Sequence, residues 1–292
     1  MAVKSVTAFL NHLKKNRGAS SNTIKAYEHD LTNYVDKLKE FGVKNPASAS
    51  HANIQNYADY LHNCGKSNSS IVRSLSCIRN YYRFLTENGL ISSNPADNIR
   101  YEEVKRKVPD FLSENELNAL VSQPDKYSAK GIRDKAILEM LSCTGLQVNE
   151  LINLTTSDIN LSIKTVVIAK NEENERILPL NQTAYSAVKT YIDKVRPLHL
   201  AEETDALFIN SGGLPLTRQG IWKIVSKYAE KSGINRNVSP QTIRNTFINR
   251  LLKNGVDIND VREIIGHIDL ISTKAYAKLI TERYSDIYSK LK

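Results

Sequence analysis

The chain has 292 residues, 41% of them hydrophobic and 24% charged, with a formal net charge of +9 at pH 7. That length carries two domains with cores of their own, and the composition excludes a fibrous or low-complexity chain. No apolar run approaches the roughly 18 residues of a membrane span, and Cys64, Cys77 and Cys143 form neither a CxxC pair nor a zinc spacing, so a membrane partner, a structural metal and a disulfide framework are not expected.

The first hundred residues predict almost nothing but helix. MAVKSVTAFLNHLKKN places Val6, Phe9, Leu10 and Leu13 at helical spacing, and Gly18 breaks the pattern. It lacks the charged start, apolar stretch and cleavage site of a secretory leader. Ser21 caps a second helix whose inner face is Ile24, Tyr27, Leu31, Tyr34, Val35 and Leu38, ending before Gly42. A third runs from about Ala52 to His62, and a fourth from about Ser69 to Glu87 with Ile71, Leu75, Ile78, Tyr82 and Leu85 inward. Four such helices with short polar connections make a small bundle. The basic excess is concentrated here. Residues 1–100 hold 13 Lys and Arg against 7 Asp and Glu, leaving 27 against 24 for the rest. Such a surplus favours a polyanion, nucleic acid or an anionic surface.

A domain boundary falls at 101–110, after Asn94-Pro95, in a charged, apolar-poor stretch ending at Val108-Pro109. The second domain, 111–292, opens with Ser113 and Glu116, the spacing of a capping box. Helices follow over about 114–122 and 130–142. The β signal is confined to Thr165–Ala169 and Ile177–Leu180, a hairpin or short meander around the polar turn 170–176. Residues 184–195 and 218–231 predict helices, the latter capped by Thr217, and helix resumes after Pro240 with breaks at Gly255 and Gly266. The fold class is therefore mostly α with a small β-sheet, an α+β second domain behind a helical first one. Trp222, the only tryptophan, is expected in the core.

Chemistry concentrates near the carboxyl end. Arg244 lies 23 residues before His267, and His267 nine before Tyr276, within Gln241-Thr242-Ile243-Arg244 and Ile265-Gly266-His267. Upstream stands Thr144-Gly145-Leu146-Gln147-Val148-Asn149-Glu150-Leu151. In order and spacing these segments resemble the tyrosine recombinases, the phage integrase family, most closely the Xer type. The resemblance covers nearly the whole chain. It implies a SAM-like, core-binding amino-terminal domain and a catalytic domain that together clamp duplex DNA. The implied chemistry is attack of a tyrosine on a phosphodiester to give a 3′-phosphotyrosine. Two arginines hold the phosphate, a hairpin lysine acts as general acid, and histidines assist; no metal or nucleotide cofactor takes part.

On that resemblance Tyr276 is the nucleophile, Arg244 the second arginine, His267 the later histidine and Lys170 the hairpin lysine. A phenol near pKa 10 is a weak nucleophile at neutral pH, and the phosphorane-like transition state needs fixed forked cations, which explains why such groups converge. Two positions depart from the pattern. Gln147 stands where the family carries its first arginine and Gln241 where it usually carries a histidine; Asn245 replaces another. Glutamine donates a neutral amide N–H but supplies no charge and no base at neutral pH. Glu150, three residues beyond Gln147, would orient the missing arginine and is expected as an uncompensated carboxylate. Arg133, fourteen residues upstream of Gln147, sits in an ordinary family segment and is not a substitute for it.

Duplex DNA is the expected partner. Arg79 and Arg83 share a face of the fourth helix, with Arg73, Lys66 and Lys25 nearby, and phosphate contacts are expected of them. Thr217, Arg218 and Gln219 open a helix in the second domain and suit a phosphate or a base edge. The tail 279–292, with Leu279, Tyr284, Ile287 and Leu291 at helical spacing, is implied to join protomers, alike or different, into a tetramer on two DNA sites, or else to fold back on its own domain. The low, odd cysteine count suits a reducing cytoplasm, and a nucleoid location follows from the DNA. The two glutamines imply impaired catalysis. They leave open a silent DNA-binding or architectural relative of these recombinases; a relaxing topoisomerase is disfavoured by the Xer-like first domain.

Overall fold

A computed structural model describes residues 2–16, 21–99, 101, 109–170, 175–199 and 204–266. The chain forms two compact units, Met1–Arg106 and Lys107–Lys292.

The first unit is built from α1 (Ala2–Asn16), α2 (Ser21–Glu40), α3 (His51–Asn63) and α4 (Asn68–Glu87). Ser50 and Asn53 close a capping box on α3, and Ser67 caps α4, so these two helices begin where a side-chain oxygen satisfies a free N–H group. Periodic apolar faces meet inside: Phe9, Leu31, Leu38, Ile54, Ile71, Ile78 and Leu85 are buried, each contributing about 1.5–3 kcal/mol on leaving water. The core also takes in four tyrosines, Tyr34, Tyr57, Tyr81 and Tyr82, and three of their hydroxyls find partners there. Tyr34 and Tyr82 hydroxyls lie 2.7 Å apart, Tyr82 donates to the Pro46 carbonyl, and Tyr81 meets Ser5. Burial raises the pKa of Tyr34, Tyr81 and Tyr82, and pushes Tyr57 up to about 12.

The second unit is organised around α6 (Ala129–Thr144), preceded by α5 (Glu114–Ser122), where Ser113 and Glu116 form the expected capping box. Ala136, Ile137, Leu138, Met140 and Leu141 of α6 are all buried, so the helix is covered all round rather than on one face. A short α7 (Val148–Asn153) leads to an antiparallel sheet of β1 (Ile159–Asn160), β2 (Thr165–Ile168) and β3 (Arg176–Pro179) in the order β1-β2-β3. Val166 pairs with Leu178 and both face inward; Ile177, one residue on, points out. Then come α8 (Gln182–Lys194), α9 (Arg218–Lys231), α10 (Pro240–Lys253) and α11 (Ile258–Ile265), with α8 and α10 against α6. The expected two strands are joined by β1, whose two residues are too few to carry an alternating pattern. Cys64 is exposed, Cys77 buried, and Cys143 partly buried.

Candidate active site

Four elements of the second unit, α6, α7, α10 and α11, converge on the Arg244 guanidinium. α6 ends at Gly145, whose φ of +62° is left-handed, and a Cβ there would stand 2.3 Å from the Phe247 ring. Only glycine fits. The Gly145 carbonyl accepts a hydrogen bond from Arg244 Nη1. Arg244 Nη2 donates to the Ile265 carbonyl, 2.7 Å away at the end of α11. Glu150, on the first turn of α7, sets its Oε2 3.8 Å from Arg244 Nη1. The Arg244 side chain is only 2% exposed. A guanidinium fixed this way is pre-oriented, which is what stabilising a transition-state charge demands.

Gln147 is the N-cap of α7 and its side chain is exposed. Its backbone N–H donates to Glu150 Oε2 at 2.7 Å. The expected uncompensated carboxylate is not what the structure contains. Glu150 Oε1 lies 2.8 Å from Nη1 of Arg176, the first residue of β3. Arg176 went unnoticed in the sequence because nothing in its own segment marks it. One signal was available: strand alternation puts 176 on the inward side with Leu178, an unusual place for an arginine.

Gln241, exposed on the first turn of α10, donates from Nε2 to Asn245 Oδ1 at 2.9 Å, and Asn245 donates to the Asp110 carbonyl. The two neutral residues at the histidine positions thus bond to one another. Gln147, Gln241 and Arg244 line one open cleft of about 490 Å³ with Arg218, Gln219 and Trp222. Trp222 is 52% exposed, not in the core; Ile221, Ile224, Val225 and Tyr228 form the inner face of α9 and leave 222 on the outer one. Thr217 caps α9 by accepting from the Gly220 N–H, and Arg218 donates to Asn149 across the cleft. Lys170 is exposed in the turn after β2, beside Ala169 with φ +54°. His267, Tyr276 and the tail 279–292 lie outside the described residues.

Arg133 is ion-paired with Asp134 and buried away from this cluster. In the first unit, Lys25, Lys66 and Arg83 are exposed. Arg73 grips Asp30 through two bonds of 3.0 Å, and Arg79 donates to the Ala96 and Ile99 carbonyls. Among the described residues no group of His, Cys, Asp and Glu has the arrangement to hold a metal, and no helix is long and apolar enough to cross a membrane.

Comparison with known proteins agrees with this geometry. The model of the phage integrase family matches residues 110–283, and that of the phage integrase N-terminal SAM-like domain matches residues 6–89. Tyrosine recombinase XerD of Staphylococcus epidermidis is 35% identical over 286 residues, 98% of this chain and 97% of that one. XerD of Chlorobaculum tepidum is 37% identical over 280 residues, 94% and 92% of the two chains. Among solved structures, the XerH site-specific recombinase bound to palindromic difH substrate aligns with a TM-score of 0.76 at 19% identity, over 97% of this chain and 84% of that one. The Tn1549 transposon integrase in complex with a circular intermediate DNA gives 0.73 at 18%, over 96% and 99%. At these identities the structural likeness is one of fold.

Proposed function

The chain belongs to the phage integrase family, and from that premise we propose that it is a site-specific DNA recombinase of the tyrosine type. The observation that carries the reading is the buried, three-point-anchored Arg244 guanidinium at the wall of an open cleft. Tyr276 attacks the scissile phosphorus, the P–O5′ bond breaks, and a 3′-phosphotyrosine forms. Lys170 protonates the departing 5′-oxygen, and Arg244 holds a non-bridging oxygen as charge gathers there. His267 assists from the segment that follows Ile265. Because the covalent link keeps the phosphodiester energy, rejoining needs no nucleotide.

The partner is duplex DNA, contacted by both units. Lys25, Lys66 and Arg83 make phosphate contacts, while Arg218 and Gln219 read the groove beside Trp222. Arg73, exposed but paired with Asp30, and Arg79, bonded to two carbonyls, belong to that surface with guanidiniums already held by protein. The tail 279–292 joins protomers, alike or different, into a tetramer on two sites, in the cytoplasm and on the nucleoid. A silent DNA-binding protein is the second reading, favoured by the neutral Gln241–Asn245 pair where proton-transfer groups would stand.

Trapping on a nicked suicide duplex separates the two. A covalent complex, absent from Tyr276→Phe and slowed in Lys170→Ala, is the expected result. The Lys170→Ala defect disappears when the leaving group is a 5′-thiol, which needs little protonation. Tight binding with no covalent complex on any substrate establishes the silent protein instead.

A further inference from the structure

The sequence leaves the phosphate with one arginine, yet the structure brings two together. Arg176 Nε donates to the Ile264 carbonyl at 2.7 Å, and Arg244 Nη2 to the Ile265 carbonyl at 2.7 Å. Arg176 Nη1 is 2.8 Å from Glu150 Oε1, and Arg244 Nη1 is 3.8 Å from Glu150 Oε2. The two guanidiniums therefore sit on adjacent carbonyls at the end of α11 and on the two oxygens of one carboxylate. Among the described residues the two guanidiniums share one carboxylate, and a buried cation with open donors is costly unless an anion completes it.

The Arg176 side chain is 9% exposed, and among the described residues neither Nη1 nor Nη2 has a hydrogen-bond partner, the Glu150 contact being an ion pair only. A guanidinium carries five N–H donors, so most of this one stays open. Gly266 makes the room: a Cβ at that position would stand 2.8 Å from Arg176 Nη1. The carboxylate three residues after Gln147 thus holds an arginine delivered by β3.

Resting on the function proposed above, we propose that Arg176 supplies the second cation of the phosphate clamp, in place of the charge that Gln147 lacks. The reacting phosphate lies beside Arg244 and takes the open donors of Arg176. Gln147 is then neutral because the charge enters from the sheet, and the phosphate clamp has its two cations.

The test compares suicide duplexes carrying an ordinary scissile phosphodiester or a methylphosphonate, in which a neutral methyl replaces one non-bridging oxygen. Arg176→Gln is expected to slow phosphotyrosine formation on the phosphodiester about 10²-fold, the typical worth of one such donor. On the methylphosphonate, which carries less charge to stabilise, most of that loss disappears. Arg176→Lys, which keeps the charge and loses the fork, falls between the two. Adding Gln147→Arg to Arg176→Gln restores cleavage at least about tenfold, by returning the cation from the other side of Glu150. Equal loss on both substrates would mean that Arg176 only ties β3 to α11, and that overturns the proposal, as does no loss at all. A Tyr276-dependent complex indifferent to Arg176 removes this inference alone. No complex on either substrate, in wild type or in the Gln147→Arg variants, removes the recombinase reading with it.

Discussion

The catalytic unit buries two arginine–carboxylate clusters, and they are finished differently. In the first, Arg133 sends Nε and Nη2 to Asp134 Oδ1 at 3.0 and 2.7 Å and Nη1 to the Ile209 carbonyl, while the Tyr228 hydroxyl donates to Asp134 Oδ2 at 3.0 Å. One cation meets one anion, and every terminal nitrogen and both oxygens have a protein partner. In the second, Glu150 serves both Arg176 and Arg244, and terminal donors of Arg176 stay open. A closed cluster of matched charge serves the fold; one with open donors serves a ligand. Burial of an ion pair is by itself no mark of a site. Its remaining donors are.

The sharpest way to break that comparison is to remove the cation from the closed cluster. Arg133→Met leaves Asp134 buried and unpaired, and should lower unfolding stability by about 3–5 kcal/mol, measured by urea denaturation. The folded fraction should still cleave at the wild-type rate. A stable Arg133→Met would mean that the closed cluster is not structural. Arg244→Gln should show the converse. Single-turnover cleavage falls about 10²–10³-fold, a larger effect than the loss of its bonds to the Gly145 and Ile265 carbonyls has on the urea midpoint. A large loss of stability in that variant would erase the distinction.

A smaller effect follows from Tyr228. Burial, and then the Asp134 charge, raise its pKa. A folded pKa above the unfolded value of about 10 gives stability that is complete below pH 10 and lost as pH rises beyond it. Tyr228→Phe should cost about 1.5–3 kcal/mol at neutral pH, the worth of a hydrogen bond to a charged group. It should also make the alkaline decline shallower, leaving the share of the first unit's tyrosines. A decline of unchanged slope would say that Tyr228 already ionises near its ordinary value.

The smallest contrast lies in the first unit, where Arg83 is exposed and Arg79 is bonded to two carbonyls. Arg83→Ala should weaken duplex binding severalfold and lower the slope of log affinity against log salt by about one. Arg79→Ala should act mainly through stability. Equal salt slopes for the two variants would place both guanidiniums on the phosphates.

These four contrasts also mark how far the sequence could be read. Helices with long apolar faces were legible, together with the residues that start them: Ser113 with Glu116, and Thr217, cap as their types require. β1 was not, since two residues carry no period. Trp222 was misplaced because a lone large aromatic says nothing about which side of its helix it occupies. Gln147, Gln241 and Arg244, from two separate segments of the sequence, line one cleft. Arg176 was hidden for a different reason. Its partners are Glu150, on another element, and the Ile264 carbonyl, 88 residues away. Only the pairing of β2 with β3 and the packing of α11 bring those groups together.

Two neighbouring positions in the Thr144–Leu151 segment differ in how freely they can change. At 145 the backbone conformation and the Phe247 ring admit glycine alone. At 147 the side chain is exposed, and the bond to Glu150 comes from the main-chain N–H, which every residue but proline provides. Glutamine, arginine or lysine can therefore exchange there without disturbing the turn. A charged side chain at 147 can be gained or lost by single substitutions, each step passing through a folded protein. Position 145 offers no such path, because the same carbonyl that ends α6 also steers Arg244. Of the two positions, the exposed one tolerates exchange and the glycine two places before it does not.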